Sequence, residues 1–105
     1  MIDCRGLDKD GYLRDLSSWN HGVAADLAQQ EGIVLDDSHW EIIATLRDFY
    51  DRTDNAPSMR PFVKLMKTSL GEDKGNSIYL MRHFGGSPAK TAAKIAGLPR
   101  PTNCL

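Results

Sequence analysis

Cys104 stands one residue from the end of a 105-residue chain, in the run Gly97-Leu-Pro-Arg-Pro-Thr-Asn-Cys-Leu105. Free cysteines are generally buried and behave as small hydrophobes, and a penultimate residue is hard to bury unless the tail docks. The chemistry open to an accessible thiol is that of its thiolate: attack on sulfur to make a disulfide or a persulfide. With an ordinary pKa, only about 3% of it is ionised at pH 7. The terminal carboxylate of Leu105, roughly 7 Å off, opposes ionisation by about 0.6 kcal/mol in water. Arg100 offsets this if the arm bends, as do Arg60, Lys64 and Lys67 if the arm folds back. No histidine neighbours Cys104 in sequence, so the thiol reads as one activated by its partners' sites. On residue types alone, a thiol made for presentation and a frayed end that contains cysteine are equally good readings.

The other chemistry-bearing residues are sparse. Cys4 falls in a segment that alternates polar and apolar residues, which suits a small packed strand residue; a partner thiol for Cys104 is the sharper alternative. Two cysteines make no disulfide framework. His21, His39 and His83 show no zinc-ligand spacing with them, and no glycine-rich phosphate loop is present. Arg60, Lys64 and Lys67 recur at spacings of four and three and so share one helical face. That face suits an acidic protein or tRNA, or simple solvation; sequence-specific DNA is not expected, because it would need base-reading side chains on the second helix and a dimer, and the turn between the two helices is long and rich in Asp and Pro.

Charge is polarised along the chain. Residues 1–54 hold five Lys/Arg and twelve Asp/Glu, a net −7, and residues 55–105 hold eight and two, a net +6. The basic half carries the arm, so an acidic partner near the arm fits; mutual pairing of the halves is the alternative. No apolar run approaches the ~20 residues of a membrane span, and no secretory signal pattern opens the chain, which points to the cytoplasm.

The elements that must position the thiol are mainly helical. Residues 2–15 read as a β-hairpin around Asp10-Gly11. Ser17 or Ser18 is expected to cap a first helix reaching about Gln30, with Trp19, Val23 and Leu27 on one face. Ile33-Val-Leu35 reads as a buried connection. Ser38 and Glu41 have capping-box spacing for a central helix over 38–53. Ser58 caps a third helix to about Leu70, ended by Gly71; Asn76 to Phe84 is a fourth, and Pro88 to Ala96 a fifth, with Gly97 past its end and Pro99 beyond. The whole is one domain: a hairpin at 1–15, a helical body at 17–96 forming an orthogonal bundle, and a projecting mobile arm at 97–105.

The run Lys94-Ile-Ala-Gly-Leu-Pro-Arg-Pro-Thr-Asn-Cys104-Leu resembles the C-terminal signature of the TusE/DsrC family of small sulfur carriers. Upstream, Gly11-Tyr-Leu13, Trp19, Glu31-Gly-Ile33, His39-Trp40-Glu41, Arg47-Asp-Phe-Tyr50 and Gly75-Asn-Ser-Ile-Tyr-Leu80 resemble the family in order, over nearly the whole chain. The two-cysteine DsrC branch has a second arm cysteine eleven positions before the penultimate one; here that position is Ala93. The resemblance therefore implies the one-thiol TusE branch. It implies a sulfurtransferase that takes persulfide sulfur on Cys104 from a TusBCD-like complex and supplies a tRNA 2-thiouridylase, meeting tRNA through that acceptor. No cofactor is expected, because the sulfur is the cargo. The alternatives are a DsrC-like accessory of sulfite reductase or sulfur oxidation, and a small nucleic-acid-binding regulator.

Overall fold

The computed structural model describes residues 11–13 and 15–101. Among the described residues, a 3-10 turn, Leu16–Ser18, precedes five helices: α1 His21–Gln30, α2 Asp37–Thr53, α3 Met59–Leu70, α4 Ser77–Phe84 and α5 Pro88–Ile95. The fold is mainly helical, as expected. The hairpin proposed for residues 2–15 falls largely outside the described residues, as do Cys4 and the arm from Thr102 to Leu105.

Three of the five helix starts, those of α1, α2 and α4, are fixed by a side-chain acceptor. Asn20 caps α1 by accepting from the Val23 amide at 2.9 Å. Trp19 therefore lies before the helix, not on its face with Val23 and Leu27, and neither Ser17 nor Ser18 caps it. Asp36, not Ser38, caps α2, accepting from the His39 amide at 3.1 Å, while the His39 ring reaches back to the Asp36 amide. That reciprocal arrangement satisfies two donors at once. The Asp36 carboxylate is held below its ordinary range, first by the His39 amide and then by the His39 ring. Asn76 caps α4, its side chain accepting from the Tyr79 amide, whereas Ser58 precedes α3 at the expected place but its side chain makes no capping hydrogen bond.

The core gathers on α5 rather than on the longer α2. α5 packs against each of the other four helices. Its buried positions are small: Ala89, Ala92 and Ala93, with Ala96 just past its end and Ile95 the one large side chain among them. Methyl-sized side chains let neighbouring helices approach closely, since interaxial distance follows side-chain size at the contact. Leu27, Ile42, Ile43, Leu46, Phe62 and Phe84 complete the buried cluster. Buried His39 ties α2 to α4, its Nε2 donating to the His83 carbonyl at 2.8 Å. Of the connection at 33–35, Ile33 and Leu35 are half-buried, but Val34 is 88% exposed, so that segment is not core throughout. Among the described residues, no helix is long and apolar enough to cross a membrane.

Candidate functional site

The site is built around the C-terminal end of α5, where the arm leaves the body. A helix ends with carbonyls that lack intrahelical partners, and here each of them finds one. Leu98 N–H donates to the Ala93 carbonyl at 2.9 Å, and Gly97 N–H to that of Lys94 at 3.1 Å. This is a Schellman ending, with Gly97 at φ +73°. Trp19 Nε1 donates to the Ile95 carbonyl at 2.9 Å, and Arg47 Nη1 to that of Ala96 at 2.6 Å. The Arg47 guanidinium lies 4.0 Å from the Trp19 ring centroid, so the two clamps support each other. Burial lowers the Arg47 pKa from its ordinary value, partly offset by Asp51.

The arm's first residues are packed. Leu98 is 2% exposed, and Pro101 is buried, while Pro99 and Arg100 face outward. The expected projecting arm thus begins as a docked segment up to Pro101. Cys104 lies outside the described residues. It stands three positions beyond Pro101, which limits its Cα to within about 11 Å of the Pro101 Cα.

Beside this root lies a cavity of about 410 Å³ lined by Tyr12, Glu31, Lys90, Thr91, Lys94 and Arg100, among others. Tyr12 organises it. Its hydroxyl donates to the Lys90 carbonyl at 3.3 Å, and its ring sits 5.4 Å from Lys94 Nζ and 5.6 Å from the Arg100 guanidinium. Lys94 also pairs with Glu31 at 2.6 Å. Among the described lining residues, three cations against one carboxylate make the cavity positive.

Of the residues singled out from sequence, the structure brings Arg100 to this cavity and Arg60 to a neighbouring groove. Lys64 and Lys67 line neither, and Lys67 faces Glu72 at 3.9 Å. Lys90 and Lys94 were missed, although their spacing of four on a helix starting at Pro88 places them on one face. Tyr12, Trp19 and Arg47 gave no local signal of a role here. Ala93, where the two-thiol branch carries cysteine, is 1% exposed in the core. Among the described residues, no three His, Cys, Asp or Glu side chains gather to hold a metal.

A family model described as DsrC like protein matches residues 4–105. The chain belongs to the DsrC family. Within it, the chain is a homologue of the TusE sulfurtransferases. It is 51% identical to the sulfurtransferase TusE homolog of Haemophilus influenzae over 109 aligned positions, covering 100% of both. It is 47% identical to sulfurtransferase TusE of Escherichia coli, covering 93% of this chain and 90% of that protein. Among solved structures, the DsrC of Allochromatium vinosum superposes with a TM-score of 0.86 at 43% identity, covering 94% of this chain and 88% of that one. The oxidized γ-subunit of dissimilatory sulfite reductase (DsrC) from Archaeoglobus fulgidus does so at 0.80 and 40% identity, covering 94% and 90%.

Proposed function

We propose that this chain is a one-thiol sulfur carrier. Cys104 accepts sulfur from a TusBCD-like donor and delivers it to a tRNA 2-thiouridylase, which meets the tRNA. In loading, the Cys104 thiolate attacks the terminal sulfur of the donor's persulfide. The donor's S–S bond breaks, its thiolate leaves, and Cys104 carries the persulfide. Delivery reverses the roles and restores the Cys104 thiolate, so no external oxidant or reductant is consumed.

The observation that carries this reading is full-length similarity to TusE sulfurtransferases in a chain that has Cys104 but alanine at position 93. A single thiol holds and passes a persulfide, whereas a two-thiol exchange needs a second one on the arm. The clamped root of α5 supports the reading, because it fixes the point from which the last residues extend. The positive cavity holding Arg100, Lys90 and Lys94 lies beside that point and favours an anionic sulfur. Arg60 serves as part of a partner-docking surface, and Lys64 and Lys67, which line neither hollow, stand outside it.

Mass spectrometry after incubation with a persulfide donor tests it. Loading adds one sulfur atom, about 32 Da, at Cys104. Cys104→Ser abolishes loading and delivery, and Cys4→Ser leaves both intact. A Cys104→Ser protein that still loads and delivers sulfur overturns the reading, and a requirement for both cysteines replaces it with a two-thiol exchange.

A further inference from the structure

A second concavity, about 910 Å³, opens between the first turns of α3 and α5, with α4 along one side. Its walls are Met59, Pro61, Met81, Pro88 and Ala89. Met81 is 46% exposed, and Ile78, one position round the same helix from Ser77, is 69% exposed. Two cations, Arg60 and Lys90, line it, and no carboxylate is among its lining residues within the described part of the chain. Two helix starts meet it, and neither Ser58 nor Ser87 caps its helix with a side-chain hydrogen bond. The first-turn donors of α3 and α5 therefore add partial positive charge to the same surface.

Ser87 and Lys90 line both this groove and the cavity under Arg100, so the groove runs up to the root of the arm. We propose that a sulfur-exchanging partner protein lays an acidic, apolar segment in the groove between the starts of α3 and α5, which brings its own sulfur site to the root of the arm that carries Cys104. The proposal rests on the sulfur-carrier reading and names the partner's chemistry. Charge decides the sign: two side-chain cations and two helix starts face the groove, with no opposing carboxylate among the described residues. The walls decide the class of partner. Methionines adapt to varied apolar side chains, whereas a single-stranded nucleic acid needs aromatic platforms and a longer cationic track. Among the described residues, none that lines this groove is aromatic.

The test is an NMR titration of the full chain with an end-blocked peptide that alternates leucine and glutamate. The expected result is amide shifts at Met59, Arg60, Ala89 and Lys90. Binding should weaken about tenfold in Arg60→Glu/Lys90→Glu and stay within about twofold in Lys64→Glu/Lys67→Glu, which makes the same charge change outside the groove. The peptide with glutamine in place of glutamate should bind more weakly. Shifts confined to other surfaces, or equal weakening by both double variants, overturn the proposal. So does an RNA hairpin that shifts the same amides at lower concentration than the peptide, which would make this a nucleic-acid surface. Loading of wild-type Cys104 by inorganic polysulfide is followed separately: its failure sinks the carrier reading, while failure of peptide binding alone sinks only the groove.

Discussion

Trp19 and Ile95, 76 positions apart, are joined by a 2.9 Å hydrogen bond from the indole nitrogen to the backbone carbonyl. It fixes the end of α5 from a residue that belongs to no α-helix. Trp19→Phe keeps most of the ring and removes the donor. The expected cost is about 1–2 kcal/mol, since a partly buried carbonyl loses its partner. Amide exchange at Leu98, whose N–H closes the same helix end, should speed up. Unchanged stability and unchanged Leu98 exchange would mean that the clamp contributes nothing.

Gly97 is the position where the root of the arm is least tolerant. Its φ of +73° lies in the left-handed region, and an added Cβ would collide with the Trp19 ring. Gly97→Ala therefore meets both backbone strain and a packing clash, with an expected loss of more than about 1 kcal/mol in denaturant unfolding. Gly86→Ala, with open space around its Cβ and no positive φ, is the matched control.

Acid stability should report the α2 cap. The lowered Asp36 value means a contribution present above the ordinary carboxylate titration near pH 4 and lost as pH falls through the lowered value. Asp15, lowered mainly by the Ser17 hydroxyl and amide, acts in the same window. Asp36→Asn keeps a capping oxygen but cannot titrate, so its stability should fall less steeply below about pH 4 than that of the wild type. Parallel acid limbs would contradict this.

The sign reverses for Lys74. Its hydrogen bond to Glu41, 2.6 Å long, raises its pKa above the ordinary value. The contribution is whole below the unfolded value near pH 10.4 and fades as pH rises through the raised one. Glu41→Gln should remove this alkaline dependence at little cost near neutrality, because the pair is partly exposed. A large loss at pH 7 would show that Glu41 does more than pair.

Much of the fold was legible where chain punctuation is local. Ser58 with Gly71, Asn76 with Gly85, and Ser87 with Gly97 bracket α3, α4 and α5 within a residue of the observed bounds. The α1 start was misplaced because Trp19, Val23 and Leu27 mimic one apolar face, while Asn20 is the side chain that can cap. The hub was also misplaced. Apolar mass drew attention to α2, but close packing in all directions selected the alanine-rich α5. At the site, Cys104 stood out by position alone, while Lys90 and Lys94 were passed over although their spacing of four puts them on one helical face. The contributions of Tyr12 and Arg47 were not, since their bonds to Lys90 and Ala96 span 78 and 49 positions and leave no local pattern.

Burial of Pro101 sets the thiol's leash at three residues. A Cα confined within about 11 Å of its anchor occupies at most ~5,600 Å³, which corresponds to an effective concentration on the order of tenths of molar or above. Such a short leash cannot reach into a deep or distant cleft. A partner that exchanges sulfur with Cys104 must bring its own thiol to the surface next to α5, and encounter geometry rather than arm length then governs the transfer rate.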